Sequence, residues 1–112
     1  MTTNPADTLR AAADKLRALA NGATYEDRTT WAPGHTKGSL SAVVLDHPER
    51  PGVLIETWAS HLEDVNQYIA TMGPALGLAL ADWLASAAED AEQIGANHHA
   101  LAVACQILGT DQ

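Results

Sequence analysis

Apolar residues recur along this chain with two different periods, and each period marks a kind of element. From Pro5 to Ala20, the residues Leu9, Ala12, Ala13, Leu16, Leu19 and Ala20 follow helical spacing, as one face of a 3.6-residue repeat should. Asn4 can cap this segment, Pro5 suits a first helical position, and Asp7 complements the positive helix end. Arg10 with Asp14 and Asp14 with Arg17 stand one turn apart and can pair. Asn21-Gly22 supplies the stop, so the pattern predicts a half-buried helix over 5–20.

Between residues 24 and 58 the helical period gives way to β-formers. "SLSAVVLD" (39–46) and "VLIETW" (53–58) are rich in β-branched residues and flank the breaker-filled loop "HPERPG", which predicts two strands joined as a hairpin. Thr, Tyr and Trp over Tyr25–Trp31 permit a further strand, and Ala32-Pro33-Gly34 reads as the turn after it. Two strands alone are marginal, so a third strand or a helix must cover one face.

Helical spacing then returns. Ser60 and Glu63 have capping-box spacing for a helix over 61–72, with Leu62, Val65, Ile69 and Met72 along one side. Gly73-Pro74 ends it and starts the next, because Pro74 disfavours helix at the residue before it and suits a first helical position. In 75–94, a wheel centred on Leu76 gathers Leu80, Trp83, Leu84, Ala87, Ala91 and Ile94 into one stripe, with Asp82, Glu89 and Glu92 opposite. This predicts a core helix with Trp83 inside. Asp82 and Glu89-Asp90 interrupt the apolar run too early for a membrane span. Leu78 points with the acids, which calls either for cover by the first helix or for an oligomer contact. Asn97 caps a last helix over 98–108, closed by Gly109. The predicted architecture is α+β in a single domain, 1–112, with one N-terminal helix, a small antiparallel sheet of two or three strands, and three C-terminal helices packed on it.

Composition sharpens this picture in two places. Alanine is abundant and phenylalanine absent among the 112 residues, so the core rests on Leu, Val, Ile and Trp, with alanines allowing close helix approach. A single cysteine, Cys105, rules out an internal disulfide and fits a reducing compartment. With no export signal at the N-terminus, the cytoplasm is the expected location. The charge is segregated: all six basic residues lie in the first 50 positions, while residues 51–112 carry eight acids and no Lys or Arg. The net charge of −8 therefore arises wholly in the second half. Such a surface repels phosphate backbones, which argues against direct nucleic-acid binding. It would instead attract a basic protein partner.

Candidate chemistry is sparse. His98 and His99 are adjacent, about 100° apart on a helix, and cannot form the i, i+4 pair of a helical zinc site. His61 and Asp64 could converge but make only two ligands, so no metal or other cofactor is expected. Cys105 lies within an apolar helix and reads as a small buried hydrophobe rather than a nucleophile. No glycine-rich phosphate loop or nucleophile elbow is present. If there is a ligand surface, the loop 32–38 is the leading candidate. Trp31, His35 and Lys37 stand in or beside it, and Trp58 stands at the end of a strand.

The stretches "LRAAADKLRALANGAT", "YIATMGPALGLALADWL" and "HALAVACQIL" resemble a group of small uncharacterised proteins common in actinobacteria and their phages. More loosely, they are similar to phage Ead-like early proteins. The shared pattern is an N-terminal helix ending near Ala-Thr, a Pro-Gly-Pro-Trp turn, a small sheet and a "YIATM-x-P" helix corner. Here the turn reads "ATYEDRTTWAPG", a departure from that pattern. The resemblance implies a fold and an accessory, mobile-element context, and brings no activity with it. Three readings of function follow. The first is a non-enzymatic interaction protein acting through its acidic helical surface or the Trp31 loop. The others are a small-molecule or nucleotide-sequestering module near Trp31, His35, Lys37 and Trp58, and a metal-assisted hydrolase using His61, His98 and His99. Leu78 leaves a homo-oligomer open.

Overall fold

A computed structural model of the chain describes residues 4–35, 42–49, 52–56 and 62–110. In chain order these form α1 (Pro5–Ala23), β1 (Ala32–His35), β2 (Ala42–Leu45), β3 (Val53–Glu56), α2 (Leu62–Thr71), α3 (Pro74–Ile94) and α4 (His98–Leu108). The fold is α+β, with an N-terminal helix, a three-stranded antiparallel sheet and three further helices. Two compact units divide the chain: Met1–Asn21 with Gly77–Gln112, and Gly22–Leu76.

In the helical unit, α1, α3 and α4 share one core of Leu9, Ala12, Ala13, Leu84, Ala87, Ala88, Ala100 and Ala104. Most of these are alanines, so the helices must approach closely to leave no void. Gly77 is one such close approach: a Cβ there would stand 3.2 Å from the Ala20 Cβ. Arg10 pairs with Glu92, and Arg17 with Asp82 at 3.1 Å, so rising numbers on α1 meet falling numbers on α3 and the two run antiparallel. The segregation of charge along the sequence thus closes on itself, since basic residues of the first half neutralise two of the second-half acids. The hydrogen bond to Glu92 holds the Arg10 guanidinium above its ordinary value. Both pairs are exposed and contribute orientation more than stability.

Caps delimit these helices as the sequence predicts. The Asn4 side chain accepts from the Ala6 N–H at 2.8 Å. Asn97 accepts from His99 and Ala100 at 2.8 and 3.0 Å, and Gly109 takes the left-handed conformation that ends α4. Helix α1 continues through Asn21-Gly22 to Ala23, a turn beyond the expected stop.

Enlarging Gly77 tests the close approach. Gly77→Val places a branched side chain against Ala20 and Leu16, and overpacking of this kind costs about 1–3 kcal/mol. Urea denaturation should show that loss, even though valine forms helix slightly better than glycine.

In the second unit the strand order is β1-β2-β3. The expected hairpin is present between β2 and β3, with a register irregularity between Val44 and Leu45 that leaves Leu54 unpaired. The third strand is not where the sequence placed it. Residues 25–28 form a tight turn closed by an isolated Tyr25–Arg28 bridge, with Glu26 at φ 54°. The strand instead comprises Ala32–His35, the residues read as a turn, paired to β2 with Pro33 opposite Val44. Pro33 has no N–H to give, and an edge strand is the place in a sheet that tolerates this. At the sheet centre Val43 and Val44 are both fully buried, although neighbouring strand residues face opposite ways.

Asp46 organises this unit. Its carboxylate accepts from the Gly52 N–H and from Arg28 Nη1, both at 2.8 Å, while its own N–H donates to the Gly52 carbonyl at 3.0 Å. One side chain therefore closes the β2–β3 loop and ties the 25–28 turn to it. Helix α2 packs on β1 and β2.

Candidate functional site

Among the described residues each unit carries a recess. The first lies between β1 and α2. Helix α2 brings Glu63, Asn66 and Gln67 to a wall, because i, i+3 and i+4 share one face. Pro33, Gly34, His35 and Ala42 supply the sheet side of this open recess, whose volume is about 270 Å³. Gly34 is small for a reason: a Cβ there would stand 2.5 Å from Leu45 Cδ1, so glycine lets Leu45 lie across the strand. Asn66 is buried and Glu63 is exposed. His35 Nε2 lies 3.7 Å from Glu63 Oε1, a pair that becomes ionic only when the imidazole is protonated.

Of the four residues expected at a ligand surface, His35 lines this recess and Trp31 does not. Trp31 is half-buried against the α2–α3 corner, where a Cβ on Gly73 would stand 3.2 Å from its Cγ and Cδ2. The neighbouring Thr29 carbonyl accepts from the Ala75 N–H at 2.9 Å, satisfying one of the orphan donors of α3's first turn. Trp31 thus packs on the corner, while His35 faces the recess four residues later. Lys37 and Trp58 lie outside the described residues, as does His61. His98 and His99 are exposed at the start of α4. Among the described residues no group of three or more His, Cys, Asp or Glu side chains could hold a metal ion. Cys105 is buried.

The second recess was not expected. The wheel centred on Leu76 put Trp83 and Ile94 inside; instead Trp83 is 43% exposed and Ile94 85%. The buried line along α3 runs through Gly77, Ala81, Leu84 and Ala88, spaced by three and four residues, and it is rotated away from Trp83. The reason is size. Helices that meet across glycine and alanine leave room for Leu84 but not for an indole. Trp83 therefore stands at the margin, at one end of a groove of about 360 Å³. Ser86, Ala87, Asp90 and Ile94 line the groove along α3, with the α3–α4 turn of Gly95, Ala96 and Asn97. Positions 83, 87, 90 and 94 are spaced i, i+4, i+7 and i+11, a single stripe. Two large apolar side chains thus bracket small ones beside a carboxylate. A clue was present in the sequence: the alanine positions 81 and 88 flank Leu84 at helical spacing and define a competing stripe.

No single helix among the described residues is long and apolar enough to cross a membrane. Comparison with known proteins adds no constraint: no protein-family model, curated protein or solved structure matches the chain.

Proposed function

We propose that this protein is a non-enzymatic interaction protein, of the accessory type the phage-like resemblance implies, and that it docks a partner on the outer face of α3. The observation that carries the reading is the exposure of Trp83 and Ile94 at the two ends of one groove. Tryptophan is among the side chains that most often dominate interface energies, and leaving one half-exposed on a rigid helix otherwise costs hydrophobic stabilisation. Affinity capture with the wild-type protein and with a Trp83→Ala, Ile94→Ser variant tests this. A protein identified on the wild type and lost from the variant supports the reading. Retention unchanged by the variant, or no retained protein, removes it.

The β1–α2 recess favours a second reading, a small-molecule or nucleotide-sequestering module. A buried amide, a second amide and an imidazole around an apolar floor can orient a small polar ring. Thermal shift against nucleotides and acidic metabolites checks it. A rise in melting temperature that His35→Ala and Gln67→Ala abolish is the expected result, and flat curves would count against it.

A further inference from the structure

We infer that the occupant of the Trp83–Ile94 groove is a cationic amphipathic segment of a protein partner, presenting a large apolar side chain with a Lys or Arg beside it. This rests on the proposed interaction role and names the partner's chemistry.

Three features of the groove select that chemistry. Trp83 and Ile94 line one groove with the small residues Ser86 and Ala87, a combination that can receive an apolar side chain as a hole between helices receives a knob. Asp90 lines the same groove. Arg10 and Arg17 are drawn to Glu92 and Asp82, whereas Asp90 makes no ion pair among the described residues. A cationic segment entering there meets the Asp90 carboxylate in a groove that the exposed Trp83 also lines, and both kinds of group attract cations. The third feature is the helix end. The last turn of α3 carries no basic residue of its own, although the negative end of a helix favours one; Arg10 of α1 is engaged with Glu92 there, which leaves Asp90 as the carboxylate lining the groove. The N-terminus of α4 also borders the groove, but Asn97 already accepts from its His99 and Ala100 N–H groups. The balance of charge at the groove is negative.

The same charge disfavours a second copy of this chain as occupant. A two-fold contact through this face would bring Asp90 toward its own counterpart, in a protein already carrying −8, and like charges at close quarters repel.

The test is a titration of the ¹⁵N-labelled protein, followed through amide shifts, with three short synthetic peptides of equal length. One carries Lys and Leu at helical spacing, one Glu and Leu, and one Lys and Ser. The Lys/Leu peptide should shift the amides of residues 83–97, while the other two leave them in place. Binding should weaken by about tenfold or more in Trp83→Ala, as for an aromatic hot spot, and by about threefold in Asp90→Asn, as for an exposed charge pair. Added salt should weaken it further in the wild type and less in Asp90→Asn. Equal binding of the Glu/Leu peptide, or shifts confined to other residues, overturns the inference. So do shifts of the same amides with protein concentration alone, which would make a second copy the occupant. A captured partner that depends on Trp83 and Ile94 but binds equally in Asp90→Asn and at high salt sinks this inference while leaving the interaction role intact.

Discussion

Leu84→Ala should lower the unfolding free energy by about 3 kcal/mol, and Trp83→Ala, one position earlier, by about 1–2 kcal/mol despite its far larger side chain. The contrast follows from rotation about a single helix. Leu84 is fully buried and is among the largest side chains of the helical core. Its neighbours there are chiefly alanines, which cannot expand into the space a shortened side chain leaves. The lost contacts and the residual cavity both count. Trp83 loses part of its contact with water on folding but leaves 43% of its surface outside. Small domains are typically stable by only about 5–15 kcal/mol, so the first substitution removes a large share and the second a smaller one. Urea denaturation of both variants measures the difference. Equal losses would mean that the indole is a core residue after all.

Asp46→Ala should cost about 2–3 kcal/mol, the larger part of it from what the removed carboxylate leaves behind. Arg28 and Asp46 retain only 19% and 20% side-chain exposure, so the guanidinium loses the Asp46 carboxylate where water replaces it poorly. The Gly52 N–H loses its acceptor at the same time. Asp46→Asn keeps a neutral acceptor for Gly52 and should fall between wild type and alanine. Raising the salt concentration should change the wild type little, because a pair this sheltered is weakly screened. Denaturation of the three proteins, with hydrogen exchange at Val43 and Val44 as a local report, would check the order. An alanine variant as stable as the wild type would mean that the loop is held by backbone alone.

Much of the fold is legible in the sequence, and what is not shares one cause. Asn4, Asn97 and Gly109 cap helices because their chemistry acts within a turn and needs no tertiary context. The β2–β3 hairpin follows from β-branched runs around a breaker loop in the same local way. The helix faces are harder, since a wheel weighted by large apolar residues locates the centre of hydrophobicity, not the centre of contact. In α3 these differ: Gly77, Ala81 and Ala88 sit inside with Leu84, while Trp83 and Ile94 stand outside. Helix α2 repeats the lesson. Asn66 and Ala70 are buried, Val65 and Ile69 are half-buried, and Met72 is exposed. Where small residues let elements meet closely, large ones are displaced to the rim.

Strand β1 failed to be read for a different reason. Proline and glycine punctuate local structure, but an edge strand tolerates both when a neighbour supplies the pairing, and nothing near Pro33 in the sequence reveals that neighbour. The groove on α3 was hidden by the same displacement that moved Trp83 outward. His35, which belongs to the loop 32–38 of the sequence reading, lines the β1–α2 recess. The α2 residues opposite it are not legible in the sequence, because the i, i+3 spacing of Glu63 and Asn66 has meaning only once the sheet lies beneath them.

The role of α3's outer face can be measured at one atom pair, the Trp83 indole N–H. In a ¹H–¹⁵N spectrum its signal is the one that vanishes in Trp83→Phe. A soluble paramagnetic reagent should broaden it in the free protein, and the partner recovered by capture should protect it. An indole already shielded in the free protein, or one still broadened equally when the partner is bound, would contradict the assignment of this face as the binding surface.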